Sequence, residues 1–130
     1  MTGATGPKRA AHADAFGAHV GIEQIQGADG RPAARLRVGA QHLNPWNGGH
    51  GGVTFTLADT ALGLACNTQG KLGALVDAHM IFCVAVKEGD LLVAQAIEIS
   101  RTNKLGVYRS DVRREDGTLV ASLTGTVYLR

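Results

Sequence analysis

The sequence has few cysteines, few aromatic residues and little net charge. Its 130 residues include two cysteines, Cys66 and Cys83, and the formal net charge is +2. Both cysteines stand in apolar runs without the spacing of a metal site, so we expect buried free thiols in a reducing compartment rather than a disulfide. A charge this small gives no basic surface that would favour nucleic acid as a partner.

Long apolar runs are also missing. No stretch is long enough to span a membrane, and the first nine residues lack the apolar segment of a signal peptide. We therefore expect a cytoplasmic protein without a membrane partner. The length fits one domain, which we place at residues 9–130, behind a flexible leader at residues 1–8.

Glycine is abundant, at 18 residues, and turn-forming pairs divide the chain into short elements. A short helix is predicted over residues 10–18, ended by Gly21, and Asp29-Gly30 predicts a hairpin between two strands. Six strands are predicted in all, over residues 20–26, 34–38, 74–86, 91–100, 106–114 and 118–129. A loop over residues 41–49 separates the second strand from the segment that follows.

That segment, residues 53–66, is apolar on nearly every face and rich in small residues, which is typical of a buried helix. Asn67 to Gly70 is expected to end it, with Gly70 as the C-terminal glycine. Short connections between the later strands favour antiparallel pairing. We therefore predict an α+β fold, a curved antiparallel sheet wrapped around a central helix.

Asp59 is the most informative residue of this helix. A carboxylate in an apolar helix is costly unless it is paired, solvated or functional. Carboxylates with perturbed pKa values do cluster at functional sites, although a bond to nearby backbone or to a partner side chain would also explain Asp59.

His50-Gly51-Gly52 stands at the predicted helix start. Glycines there leave backbone N–H groups unobstructed at the positive end of the helix dipole. Such groups can hold a carbonyl oxygen as it gains negative charge. A loop that merely needs glycine dihedrals is the alternative explanation.

The spacing of the two features limits how they can act together. Gly51 and Asp59 are eight positions apart, which corresponds to about 12 Å along one helix. A base and an oxyanion donor must both reach one carbonyl group, at roughly 3 Å. Two helices antiparallel across a two-fold axis can meet this requirement, so a single site built from both residues predicts at least a dimer.

Three runs together resemble the hotdog-fold acyl-CoA thioesterases, in particular the phenylacetic-acid-degradation (PaaI-like) branch: residues 44–52, 57–61 and 65–70. The resemblance extends over about residues 10–130. It implies the hotdog fold and hydrolysis of an acyl-CoA thioester, such as an aryl-acetyl-CoA. It also implies active sites shared between the subunits of a homodimer, two dimers forming a tetramer, and no cofactor beyond the CoA of the substrate.

The resemblance also implies roles for individual residues. Asp59 aligns with the helix carboxylate, as nucleophile or general base, Gly51 with the carbonyl-polarising N–H, and Asn44 with the residue that orients water or the carboxylate. Further predicted substrate-binding residues are His50, Gly52, Thr60, Asp77, Arg101 and Lys104. The chain departs from the family pattern at Leu75, where a hydroxyl is common.

Several of these assignments have alternatives. Arg101 and Lys104 could meet the CoA phosphates or form a solvated basic loop. Asp77 and His79 share one strand face, where they could line the pocket or form a polar pair at a surface or subunit interface. No histidine spacing typical of a metal site is present, so we predict no metal.

Two other functions are compatible with the same residues. A hotdog dehydratase or hydratase could use His50 and Asp59 as its acid and base, and a non-catalytic domain could only bind acyl-CoA. Release of free thiol from an acyl-CoA separates hydrolysis from both.

Overall fold

The computed structural model describes residues 14–67, 70 and 72–130. The elements are helices α1 (Ala15–Val20) and α2 (Gly51–Cys66), a 3₁₀ turn (Ala40–His42), and strands β1 (Glu23–Gln26), β2 (Pro32–Arg37), β3 (Gly73–Phe82), β4 (Leu91–Arg101), β5 (Leu105–Arg114) and β6 (Leu119–Leu129). The strands form one antiparallel sheet in the order β1-β2-β4-β5-β6-β3. The predicted leader lies outside the described residues.

The core lies between the inner face of the sheet and α2. Alternate residues of the central strands are buried there: Leu92, Ala94 and Ala96 in β4, Tyr108, Ser110 and Val112 in β5, and Ala121, Leu123 and Val127 in β6. This two-residue alternation is what a sheet with one covered face requires. The predicted combination of an antiparallel sheet with a central helix is confirmed.

Helix α2 is covered on one side only. Its sheet-facing residues Leu57, Ala61 and Leu62 are buried, whereas Gly52 is exposed and Thr56 is half-buried on the opposite side. The predicted buried helix is therefore buried on its sheet-facing side in the single chain. The sequence pattern cannot distinguish the sheet-facing side, because small residues fill both faces.

Strand β3 ends at Phe82 rather than at the predicted Val86. The N–H groups of Cys83 and Val84 both donate to the Val120 carbonyl, at 2.8 and 3.2 Å, so the ladder stops where β6 begins. Cys83 is consequently exposed, and the expectation that it is buried is wrong. Cys66 is buried as expected, both thiols are free, and burial raises the pKa of the Cys66 thiol.

The predicted start of α2 at the Gly-Gly pair is confirmed, since the helix begins at Gly51 with His50 as its cap. The other end differs in detail from the prediction. The last helical residue is Cys66, and the C-cap is Asn67, whose Nδ2 donates to the Gly63 carbonyl at 2.8 Å. Gly70 adopts a left-handed conformation, with φ of 82°, but it is not the capping residue that we predicted.

Helix α1 brings the N-terminal part of the described chain onto α2. Asp14 caps it by accepting a hydrogen bond from Gly17 N–H at 3.1 Å. Gly21, at φ 102°, ends it as predicted. Within residues 14–67, 70 and 72–130, neither helix has the length and apolarity that a membrane crossing requires.

Candidate active site

The loop before α2 is held by its own backbone and by Asn44. Asn44 Oδ1 accepts hydrogen bonds from the N–H groups of Trp46, at 2.9 Å, and Gly48, at 3.1 Å. Gly49 N–H donates to the Val86 carbonyl at 2.7 Å, and a Cβ at Gly49 would lie 2.6 Å from a Val86 methyl carbon. Asn44 therefore shapes this loop through its side-chain oxygen, and its role toward water or Asp59 stays a prediction.

The backbone N–H groups of the two glycines at the start of α2 differ in their hydrogen bonding. His50 Nδ1 accepts the Gly52 N–H at 2.8 Å, so that donor is used by the cap. The Gly51 N–H has no acceptor among the described residues. Gly51 packs beside the Phe82 ring, to which a Cβ would come within 3.4 Å. As far as residues 14–67, 70 and 72–130 go, Gly51 thus presents an unpaired donor at the positive end of the helix.

Asp59 lies half-buried in the third turn of α2. Within the described part of the chain, no hydrogen bond or ion pair reaches its carboxylate. Burial raises the pKa of Asp59, and the nearby carboxylate of Asp14 raises it further. The environment therefore makes Asp59 a stronger base than an ordinary aspartate.

A buried serine holds the turn that carries Asp59. Ser110, fully buried in β5, donates its hydroxyl hydrogen to the carbonyl of Ala58 at 2.8 Å. Ser110 was not among the residues predicted for the site. It could have been recognised as a polar residue at an inward-facing position of an alternating strand, between Tyr108 and Val112.

Gly51 and Asp59 do not converge within one chain. Both lie on α2, and eight residues of helix place them about 12 Å apart along its axis. The predicted residue Thr60 lies beside Asp59, but its hydroxyl hydrogen goes to the carbonyl of Thr56 at 2.8 Å. One carbonyl group cannot contact both Gly51 and Asp59 of the same helix.

Asp77 and His79 lie on the outer face of the sheet, opposite α2. They pair with Thr126 and Thr124 of β6, which alternate with inward-facing residues, and both are exposed. Their predicted common face is confirmed. The structure does not bring Asp77 to Asp59 of the same chain, so its substrate contact stays a prediction.

Arg101 joins an internal polar cluster. Its Nη1 donates to the Tyr108 hydroxyl oxygen at 2.8 Å and to Glu98 Oε1 at 3.4 Å, and the Tyr108 hydroxyl donates to Glu98 at 2.8 Å. Burial, the bond to Glu98 and its charge raise the pKa of Tyr108 to about 12. Lys104 is exposed in the following turn.

This cluster borders a cavity of about 380 Å³ between α2 and the β1–β2 turn, lined by Gly30, Arg31, Pro32, Ala65, Ala96, Glu98 and Tyr108. The Arg101 guanidinium is thus engaged with protein groups, and its contact with CoA phosphates stays a prediction. Glu98 and Tyr108 were not predicted as partners of Arg101. In residues 14–67, 70 and 72–130, no group of three His, Cys, Asp or Glu residues is placed to hold a metal ion.

Comparisons with known proteins identify the family. Residues 49–121 match the thioesterase superfamily. The chain is 37% identical over 113 residues to the acyl-coenzyme A thioesterase PaaI of Escherichia coli. The aligned residues cover 86% of this chain and 80% of that protein. It is 38% identical to two longer relatives, over 100 residues in Archaeoglobus fulgidus and 96 in Deinococcus radiodurans, and spans 65% of the length of each.

Solved structures share the fold. The Escherichia coli PaaI structure superposes with a TM-score of 0.86 at 30% identity, over 95% of this chain and 90% of that chain. The BH2602 protein of Bacillus halodurans, solved with CoA, gives 0.84 at 29% identity, over 92% of this chain and 80% of that chain. The chain therefore belongs to the thioesterase superfamily and has the hotdog fold.

Proposed function

We propose that this protein hydrolyses acyl-CoA thioesters, with Asp59 as nucleophile or general base and the Gly51 N–H polarising the carbonyl. The observation that carries the proposal is the pair of unpartnered groups on α2, as far as the described residues go: a free N–H and a half-buried carboxylate. The names of the relatives support it, since one is an acyl-CoA thioesterase and another was solved with CoA.

The chemistry follows from these two groups. As a general base, ionised Asp59 takes a proton from water while the water oxygen attacks the thioester carbon. As a nucleophile, its carboxylate attacks that carbon directly and forms a mixed anhydride, which water then hydrolyses. In both routes the Gly51 N–H holds the oxyanion, which collapses as the carbon–sulfur bond breaks and CoA leaves as a thiolate that takes up a proton.

Two subunits are required, because Gly51 and Asp59 of one helix cannot reach one carbonyl. We place the dimer contact at β3, which forms one edge of the sheet. Val76, Ile81 and Phe82 of β3 are 62%, 55% and 55% exposed. An exposed apolar edge strand is a template for pairing with another chain. Association of two such dimers is a further part of the proposal.

The proposed acyl group is an aryl-acetyl group, which is supported by the relative from the phenylacetic acid degradation operon. Thiol release measured over matched aryl and aliphatic acyl-CoAs would define the class. A cytoplasmic location is proposed on the basis of the two free thiols.

Gly51→Pro tests the donor with little cost to the fold. Gly51 is the first helical residue, where proline is well tolerated, and His50 is extended at φ −63° and ψ 134°, as a residue before proline must be. The matched control is Gly51→Ala, which keeps the N–H. We expect kcat/KM for thiol release to be about 10²- to 10³-fold lower for the proline variant than for the alanine variant.

Each part of the proposal can fail separately. Equal rates for the two Gly51 variants would remove the N–H from the mechanism. We expect Asp59→Asn to lower kcat by roughly 10²- to 10⁴-fold, and full activity would exclude Asp59. If the unmodified protein released thiol from no member of the acyl-CoA panel, the function itself would be wrong.

A further inference from the structure

His42 is a buried histidine that the proposed mechanism does not use. It is 5% exposed and ends the 3₁₀ turn in the loop before α2. Its Nδ1 accepts the Gly39 N–H at 2.9 Å, and its Nε2 lies 2.6 Å from the carbonyl oxygen of Val20. Both ring nitrogens therefore have partners, as a buried polar side chain requires.

The two contacts are compatible with one tautomer of the His42 ring. Gly39 offers a donor and Val20 an acceptor, so a neutral imidazole with its proton on Nε2 satisfies both. Val20 is the last residue of α1, and the final carbonyl groups of a helix have no partner within it. The ring of His42 consequently joins α1 to the loop before α2.

The backbone of His42 extends this connection to the start of α2. Its carbonyl accepts the His50 N–H at 2.8 Å. His50 caps α2 and directly precedes Gly51, whose N–H is the proposed donor. A shift of about 1 Å in a group that contacts the reacting atoms can lower a rate by roughly 10²-fold.

We propose that His42 is a positioning residue for the Gly51 N–H, because its ring holds α1 and its carbonyl holds His50. This inference rests on the proposed function, in which the Gly51 N–H binds the thioester carbonyl. Weakened anchoring would displace the donor in the transition state more than it would weaken binding of CoA. Substitution of His42 should therefore lower kcat with little change in KM.

Three variants separate the contacts. His42→Leu removes both ring bonds. His42→Gln places an amide donor near Nε2 and keeps the bond to Val20, whereas His42→Asn places an acceptor near Nδ1 and keeps only the bond to Gly39. We expect the leucine variant to lose about 10- to 100-fold in kcat, with KM within about threefold. The glutamine variant should recover more of this loss than the asparagine variant.

A control variant accounts for stability. Leu129, 2% exposed, packs near Gly73 and Gly106, beyond the C-terminal end of α2, so Leu129→Ala destabilises the fold away from the site. Rates are corrected for the folded fraction. A His42→Leu kcat equal to that of Leu129→Ala would overturn the proposal.

Amide hydrogen exchange at His50 gives a second measurement if the leucine variant does not fold. Faster exchange in the asparagine than in the glutamine variant supports the proposal, and equal exchange contradicts it. The Gly51 variants distinguish failure of the inference about His42 from failure of the proposed role of the Gly51 N–H. If Gly51→Pro is inactive but His42→Leu keeps its kcat, only the inference about His42 is wrong; if Gly51→Pro matches Gly51→Ala, the proposed donor is wrong.

Discussion

At the residue scale, Asp59 has a charge that the fold does not stabilise. Its pKa is raised above 3.8 by burial and by Asp14, so the folded state binds this proton more tightly than the unfolded state. The stability that Asp59 contributes is therefore present below the unfolded pKa and is lost as pH rises through the folded pKa. A carboxylate that serves a reaction rather than the stability of the fold is expected to show this pH dependence.

Asp59→Asn should accordingly stabilise the protein at pH 7. We expect Tm to rise by roughly a few degrees, and the gain to vanish toward about pH 3. Thermal unfolding of both proteins between pH 3 and 8 measures this effect. A lower Tm for the variant at pH 7 would contradict the prediction.

Asp29 serves as a control because its pKa is shifted in the opposite direction from that of Asp59. Its bonds to Arg31 and Gln95 lower the pKa of Asp29 to about 2. The stability it contributes is present above the unfolded pKa and is lost as pH falls through about 2. Asp29→Asn should therefore lower Tm at pH 7.

Asp14 should tune the pH dependence of activity. If ionised Asp59 is the base or nucleophile, kcat/KM rises with pH through the raised pKa of Asp59. Asp14→Asn removes the repelling charge, and asparagine remains a good helix cap, so the rise of kcat/KM with pH should move to lower pH. Glu115→Gln, at an exposed position in the β5–β6 turn, removes the same charge as a control. Identical shifts in both variants would exclude a specific effect of Asp14.

At the element scale, the proposed dimer depends on the edge strand β3. Ile81→Lys places a charge on this edge, where two copies would repel each other, so we expect the dimer to dissociate and activity to fall at least tenfold. Ile99→Lys is the matched control, because Ile99 is 53% exposed but lies in the interior strand β4. Sedimentation equilibrium measures the mass of each variant. A dimeric and active Ile81→Lys protein would place the contact elsewhere.

The elements themselves were largely predictable. Runs of strand-forming residues between turn-forming pairs located all six strands. Three of those pairs, Asp29-Gly30, Gly89-Asp90 and Asp116-Gly117, contain a glycine in the left-handed conformation. The end of β3 was not predictable, because apolar residues continue to Val86 while the partner strand begins at Leu119. Strand ends depend on the neighbouring strand as well as on local pattern.

At the scale of the whole molecule, a site shared across a two-fold axis predicts complementation. In a mixed dimer of Asp59→Asn and Gly51→Pro subunits, one site carries both changes and the other carries none. Random mixing makes about half of the dimers mixed, so activity should return to about a quarter of the unmodified value. Co-expression with two affinity tags and a thiol-release assay measures it. No recovery in purified mixed dimers would mean that Asp59 and Gly51 do not act across subunits.

The sequence by itself determined the main site candidates and the general architecture. Asp59 and Gly51 were recognisable because each contrasts with its local pattern, a carboxylate among apolar residues and a glycine at a helix start. Their separation along α2 follows from helix geometry alone. These inferences needed only neighbours along the chain.

Only the tertiary structure decided which groups have partners. The contact of His42 with Val20 spans 22 positions, and that of Ser110 with Ala58 spans 52. The cap formed by His50 engages the N–H of Gly52, whereas that of Gly51 has no acceptor in the part of the chain that the structure describes. The physical reason is that hydrogen bonding depends on distances and directions between atoms, which folding fixes and a linear pattern does not contain.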